Sequence, residues 1–131
     1  MNEEIGGHLA RAQELLRAST DLLEHDFRAD STSRSYYAMF HAATAVLLLL
    51  GVERSSHKAL ISAFGEFVVK KGFMEVRYHG YLRKAFEARS ESDYLPSSSE
   101  TAEDANVILE QAGDFVRRCG IFIEKGGGSL L

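Results

Sequence analysis

Arg34, Tyr37, His41 and Thr44 recur at intervals of three, four and three within RSYYAMFHAATAVLLLL, residues 34–50. On a helix those intervals bring the four side chains onto one face, so a segment that is apolar almost all the way round carries a single polar seam. Arginine supplies a permanent charge for a phosphate, and histidine exchanges a proton near neutral pH. A tyrosine between them can orient the imidazole. Arg34 and His41 are therefore the candidate catalytic pair, with Tyr37 as a candidate substrate contact. The competing reading is structural: inside a bundle these polar groups would satisfy one another and nearby carbonyls.

Two further places could meet an anion. Ser55, Ser56, His57 and Lys58 stand where a helix is predicted to begin, and free backbone amides with the helix dipole favour negative charge there. Ordinary serine capping beside a solvated lysine accounts for the same residues. Arg89 continues the apolar stripe of Leu82, Ala85 and Phe86, and Asp93 falls four residues later on the same face. They read as an ion pair near a helix end, or as a groove arginine that meets phosphate, with Asp93 and Tyr94 as its neighbours. The histidines at 8, 25, 41, 57 and 79 form no HExxH pattern, and Cys119 is the one cysteine, so no metal site and no intrachain disulfide are expected. A phosphate loop of the GxxxxGK type is absent, and no cofactor is expected.

These residues need helices to hold them. The chain has 131 residues, 45% hydrophobic and 26% charged, with one proline, which suits a single core. A net charge of -4 provides no global basic surface, so contact with nucleic acid must be local. The polar start MNEEIGGH has no signal-peptide pattern, which predicts a cytoplasmic protein. The longest apolar run, residues 42–51, is ten residues long, too short to cross a membrane.

Helical periodicity runs throughout, without a convincing alternating strand. Ile5, Leu9, Ala12, Leu16 and Leu23 form a first stripe. Ser31 or Ser33 is predicted to cap a second helix ending near Gly51. Ser55 or Ser56 caps a third, with Leu60, Phe64, Phe67 and Val68 on one face and KKG at 70–72 as its end. A fourth carries Tyr78, Leu82, Ala85, Phe86 and Arg89 and stops before Pro96. The serine-rich stretch after it leads into an acidic first turn and a fifth helix with Ala105, Ile108, Ala112, Phe115, Val116 and Cys119 facing in. The predicted architecture is all-α, an up-and-down bundle of four to five helices with the second at its centre. One domain is expected over 1–124, followed by a flexible Gly-rich tail, 125–131. Surplus apolar surface on the second helix suits a dimer as well as a core.

The segments SRSYYAMFHAATAVLLLLG, SSHKALISAFGEFVVKKG and LRKAFEARSESDY, in this order, resemble successive signatures of the HEPN domain over roughly residues 5–122. That resemblance implies a homodimeric helical protein of a toxin-antitoxin or defence-type system, binding RNA or nucleotide. Some members of the family are metal-independent ribonucleases that use an arginine followed a few residues later by a histidine, usually on a late helix. Here that spacing is met early, by Arg34 and His41. The late position reads Arg89-Ser90-Glu91-Ser92-Asp93-Tyr94, without the histidine. By the same resemblance Tyr94 is a candidate for nucleotidyl modification, and a nucleotidyltransferase-type antitoxin is the implied partner. A non-catalytic module that binds nucleotide or such a partner is the alternative the family also contains.

Overall fold

The helix starts are written in short polar side chains. Asn2 accepts from the Ile5 amide at 2.8 Å and opens α1 (Glu3–Glu24), whose first-turn Glu3 and Glu4 complement the helix dipole. Ser56 does the same from the Ala59 amide at 3.1 Å and opens α3 (His57–Phe64). At α5 (Ala102–Glu124) the Thr101 hydroxyl accepts from the Asp104 amide while the Asp104 carboxylate accepts from the Thr101 amide, a reciprocal capping box. The remaining helices are α2 (Arg28–Leu49) and α4 (Val76–Tyr94), and α3 runs on into a π-helical segment, Gly65–Val69. This computed structural model describes residues 2–94 and 100–127, with the side chains of 92–94 outside the description. Pro96 and 128–131 lie outside the described residues, which contain no strand.

The predicted start of the second helix is corrected. α2 begins at Arg28, with Phe27 at its N-cap and no side-chain cap, directly after Asp26 turns the chain at φ 65°. Ser31 is not a cap because it is needed inside. The Ser19 hydroxyl lies 2.8 Å from Ser31 Oγ and 2.7 Å from Ser35 Oγ, and the Ser31 hydroxyl donates to the Ser19 carbonyl at 3.0 Å. All three serines are fully buried, and their small size lets α1 and α2 approach closely. The third helix ends at the expected KKG turn, 70–72, reached through the π segment, and Gly72 at φ 83° turns the chain.

Contacts fix the topology. His8 meets His41 and Ser19 meets Ser31, so α1 and α2 are antiparallel. Thr32 donates to Glu100 just ahead of α5, and Gly127 just beyond α5 packs on Leu49, so α2 and α5 run parallel. Tyr78 donates to Asp114 and Arg118 to the Phe73 carbonyl, which makes α4 antiparallel to α5. The four long helices thus alternate up and down, with α3 bridging α2 and α4. α2 touches every other α-helix and carries the largest buried set, including Tyr36, Met39 and Leu47. The six residues expected to face inward on α5 are all buried. On α1, Leu15 and Ser19 join Ile5 and Ala12 in the interior, while Leu9 and Leu16 sit at its edge. Residues 125–127 of the expected tail form a turn that closes on α2.

Candidate functional site

One turn of α2 presents three rings in succession. Tyr36 is fully buried, while Tyr37 and Phe40 lie half-buried beside it. The Ser56 cap sets the direction of α3 and so delivers its first residue, His57, against these rings: ring centroids are 4.7 Å apart for Phe40 and His57 and 5.8 Å for Tyr37 and His57. The stripe of α4 brings Phe86 to 5.9 Å from the His57 ring, and one turn later Arg89 lies over Tyr37 at 5.3 Å and over Tyr36 at 5.9 Å. An imidazole and a guanidinium far apart in the chain are thus held around one aromatic cluster.

The imidazole is oriented from beneath. Tyr36 Oη and His57 Nδ1 are 2.6 Å apart. Burial pushes the Tyr36 hydroxyl well above its ordinary value, so the phenol stays protonated and its single hydroxyl can donate or accept. Either His57 tautomer keeps the bond. When Nδ1–H donates to Tyr36, Nε2 is bare and can take a proton. Burial first, then the Arg89 charge, lowers the His57 pKa, which favours the neutral imidazole at neutral pH. A neutral imidazole beside a fixed cation can accept a proton next to a bound phosphate.

Of the expected site residues, the structure brings together Tyr37, His57 and Arg89. The proposed partnership of Arg34 with His41 is not among its contacts. Arg34 is exposed on α2, and His41 is turned to α1, where His41 Nδ1 lies 3.0 Å from His8 Nδ1 with the rings stacked. Burial, then His8 and Arg11, lowers the His41 pKa. Thr44 donates to the Phe40 carbonyl within its own helix. Ser56 serves as the α3 cap, the exposed Ser55 lines a cavity of about 430 Å³ with His8, Thr44 and Arg54, and the exposed Lys58 lines a groove of about 730 Å³ with Lys70, His79 and Arg83. Asp93 and Tyr94 lie outside the described side chains, and with them the expected Arg89–Asp93 pair.

Sequence reasoning missed Tyr36, Phe40, Phe86 and His8 as site residues. Tyr36 and Phe40 were legible as an i, i+4 aromatic pair, although that spacing by itself reads as core. The link to His8 needed the antiparallel packing of α1. Among the described residues no three His, Cys, Asp or Glu side chains converge as metal ligands, and no helix is long and apolar enough to cross a membrane.

Residues 6–122 match the family model for the HEPN domain. The chain is 34% identical, over 90% of its own length and 87% of the relative's, to a protein of Methanocaldococcus jannaschii named as a candidate toxin. A second protein of that organism, named likewise, is 26% identical over 84% of this chain and 75% of its own length. A protein of Gloeobacter violaceus named only as UPF0332 is 35% identical over 82% of this chain and 86% of its own. With a family model spanning nearly all of its helices, this chain belongs to the HEPN domain family.

Proposed function

We propose that the chain is the toxin of a toxin-antitoxin pair and cuts RNA without a metal, with His57 and Arg89 as its catalytic groups. The observation that carries the reading is the His57 imidazole, bonded to Tyr36 through Nδ1 and set in the same aromatic cluster as the Arg89 guanidinium. In this reading the ribose 2′-hydroxyl gives its proton to His57 Nε2 as O2′ bonds to phosphorus. The bond from phosphorus to O5′ breaks, leaving a 2′,3′-cyclic phosphate, and O5′ takes a proton from water or from the imidazolium of a second copy. Arg89 balances the charge that grows on the phosphate oxygens. Pairing of two copies as a homodimer would supply that second His57. The toxin-named relatives support an antitoxin partner, and we assign that role to a nucleotidyltransferase-type protein.

Arg34 and His41 are the rival catalytic pair, and the same assay separates the two. With single-stranded RNA and EDTA present, His57→Ala and Arg89→Ala are each expected to slow cleavage by about 10²- to 10⁴-fold. The kcat of Arg34→Ala should stay within roughly threefold of the parent, because that side chain then does not touch the reacting atoms. Cleavage that vanishes in EDTA, or that survives His57→Ala while failing in His41→Ala, overturns the assignment.

A further inference from the structure

We infer that His8, Arg11 and His41 form a second phosphate station, which holds a single-stranded RNA beyond the Phe40 ring from His57 and Arg89. This deepens the proposed function and rests on it.

The geometry is a continuous strip. From Arg89 over Tyr37 at 5.3 Å it passes to His57, to Phe40 at 4.7 Å, and to His41, whose ring lies 5.9 Å from Phe40; His8 then stacks on His41 at 5.2 Å. Half-buried rings alternating with cationic or protonatable groups are what a single strand asks for, since bases stack on rings and successive phosphates need positive charge. Phe40 is the stacking surface between the two stations, and Tyr37 is the one within the first. Cleavage at His57 and Arg89 requires neither His8 nor its stacking on His41, so this end of the strip has no role in the bond-breaking step.

The histidine pair can hold one positive charge without losing its bond. With both rings neutral, Nδ1–H of one donates to bare Nδ1 of the other at 3.0 Å. A proton added at the donor ring's Nε2 leaves that bond in place, whereas a second would bring two N–H groups face to face. The pair is therefore a one-proton device. Burial, His8 and the Arg11 guanidinium all oppose the charge on His41 before a ligand arrives. A phosphate beside Arg11 reverses that balance, so binding and proton uptake are coupled. Among the described residues the other charges at this end include Glu14, ion-paired with Arg11, and Glu4, Glu53 and Arg54, which share the cavity with His8. Glu14 would give up Arg11 to the phosphate.

The test uses a fluorescent 2′-O-methyl RNA hexamer, which cannot be cut, and follows its Kd from mildly acidic to mildly basic pH. The parent is expected to bind more tightly as pH falls, by up to about tenfold per pH unit for one proton taken up. His8→Gln should weaken binding and flatten that slope. Arg11→Gln, at an exposed position, should weaken binding across the range and decides the matter if His8→Gln does not fold. An Arg11→Gln variant, or a folded His8→Gln variant, that tracks the parent in Kd and slope overturns the second station, even if His57→Ala has lost cleavage. Cleavage untouched by His57→Ala and Arg89→Ala is a separate result, and it removes the first station instead.

Discussion

At the scale of single residues, the site rests on how Tyr36 and Arg89 act on one imidazole. Tyr36 sits one position away from the polar seam of α2 and is fully buried, yet its hydroxyl reaches His57. A buried phenol needs a partner, and a histidine in the first turn of α3 needs orientation; one bond serves both. The Arg89 charge then favours the neutral ring. Replacing Arg89 with Gln removes the cation but leaves the burial, so the His57 midpoint should rise toward the ordinary value of about 6.5 without reaching it. An NMR titration of the His57 ring checks this. A midpoint that stays put or falls in Arg89→Gln means that the two groups do not sense each other. Arg89 and His57 were both legible as candidates from their types and positions. Their association was not, because α2 supplies the surface on which α3 and α4 meet, and no local spacing encodes that.

At the scale of elements, the apolar stripes of α4 and α5 were readable because burial repeats at helical intervals, and Ser56 was readable as a cap. The start of α2 was not. A serine ahead of an apolar run looks the same whether it caps a helix or bonds across to another, and here Ser31 and Ser35 bond to Ser19. Glycines divide in a similar way. Gly127 has φ 73°, and a Cβ there would lie 2.9 Å from Leu49 Cδ2, so the turn after α5 depends on its missing side chain. Gly113 stands within α5 with nothing within 4 Å of a would-be Cβ. Gly127→Ala should therefore cost about 1 to 2 kcal/mol, from the left-handed backbone and the clash together. Gly113→Ala should add about 0.5 to 1 kcal/mol by restricting the unfolded chain in a helix interior. Urea midpoints at unchanged m values measure both, and equal effects of the same sign would refute this account of the α5 end.

At the scale of the whole molecule, the same histidines couple the fold to pH. His41 and His57 both have lowered pKa values in the folded chain, chiefly through burial. Below an unfolded value of about 6.5 the unfolded chain binds more protons than the folded one, so stability falls as pH drops toward the folded values. Above that value both states are neutral at these sites, and the contribution is fully present. Asp104 has a lowered pKa as well, through its backbone and side-chain bonds with Thr101, so its contribution is present above an unfolded value of about 3.9 and disappears below it. Acid should thus weaken the bundle in two separate windows, histidines first and the α5 capping box second. The urea midpoint followed against pH should show both declines. His41→Gln combined with His57→Gln should remove the first and leave the second, while Asp104→Asn should blunt only the second. A midpoint that holds steady through the histidine window in the parent would mean that burial does not disfavour the charged rings. That outcome would also undercut the neutral His57 on which proton abstraction depends, because one electrostatic environment governs both the stability of the bundle and the chemistry at its rim.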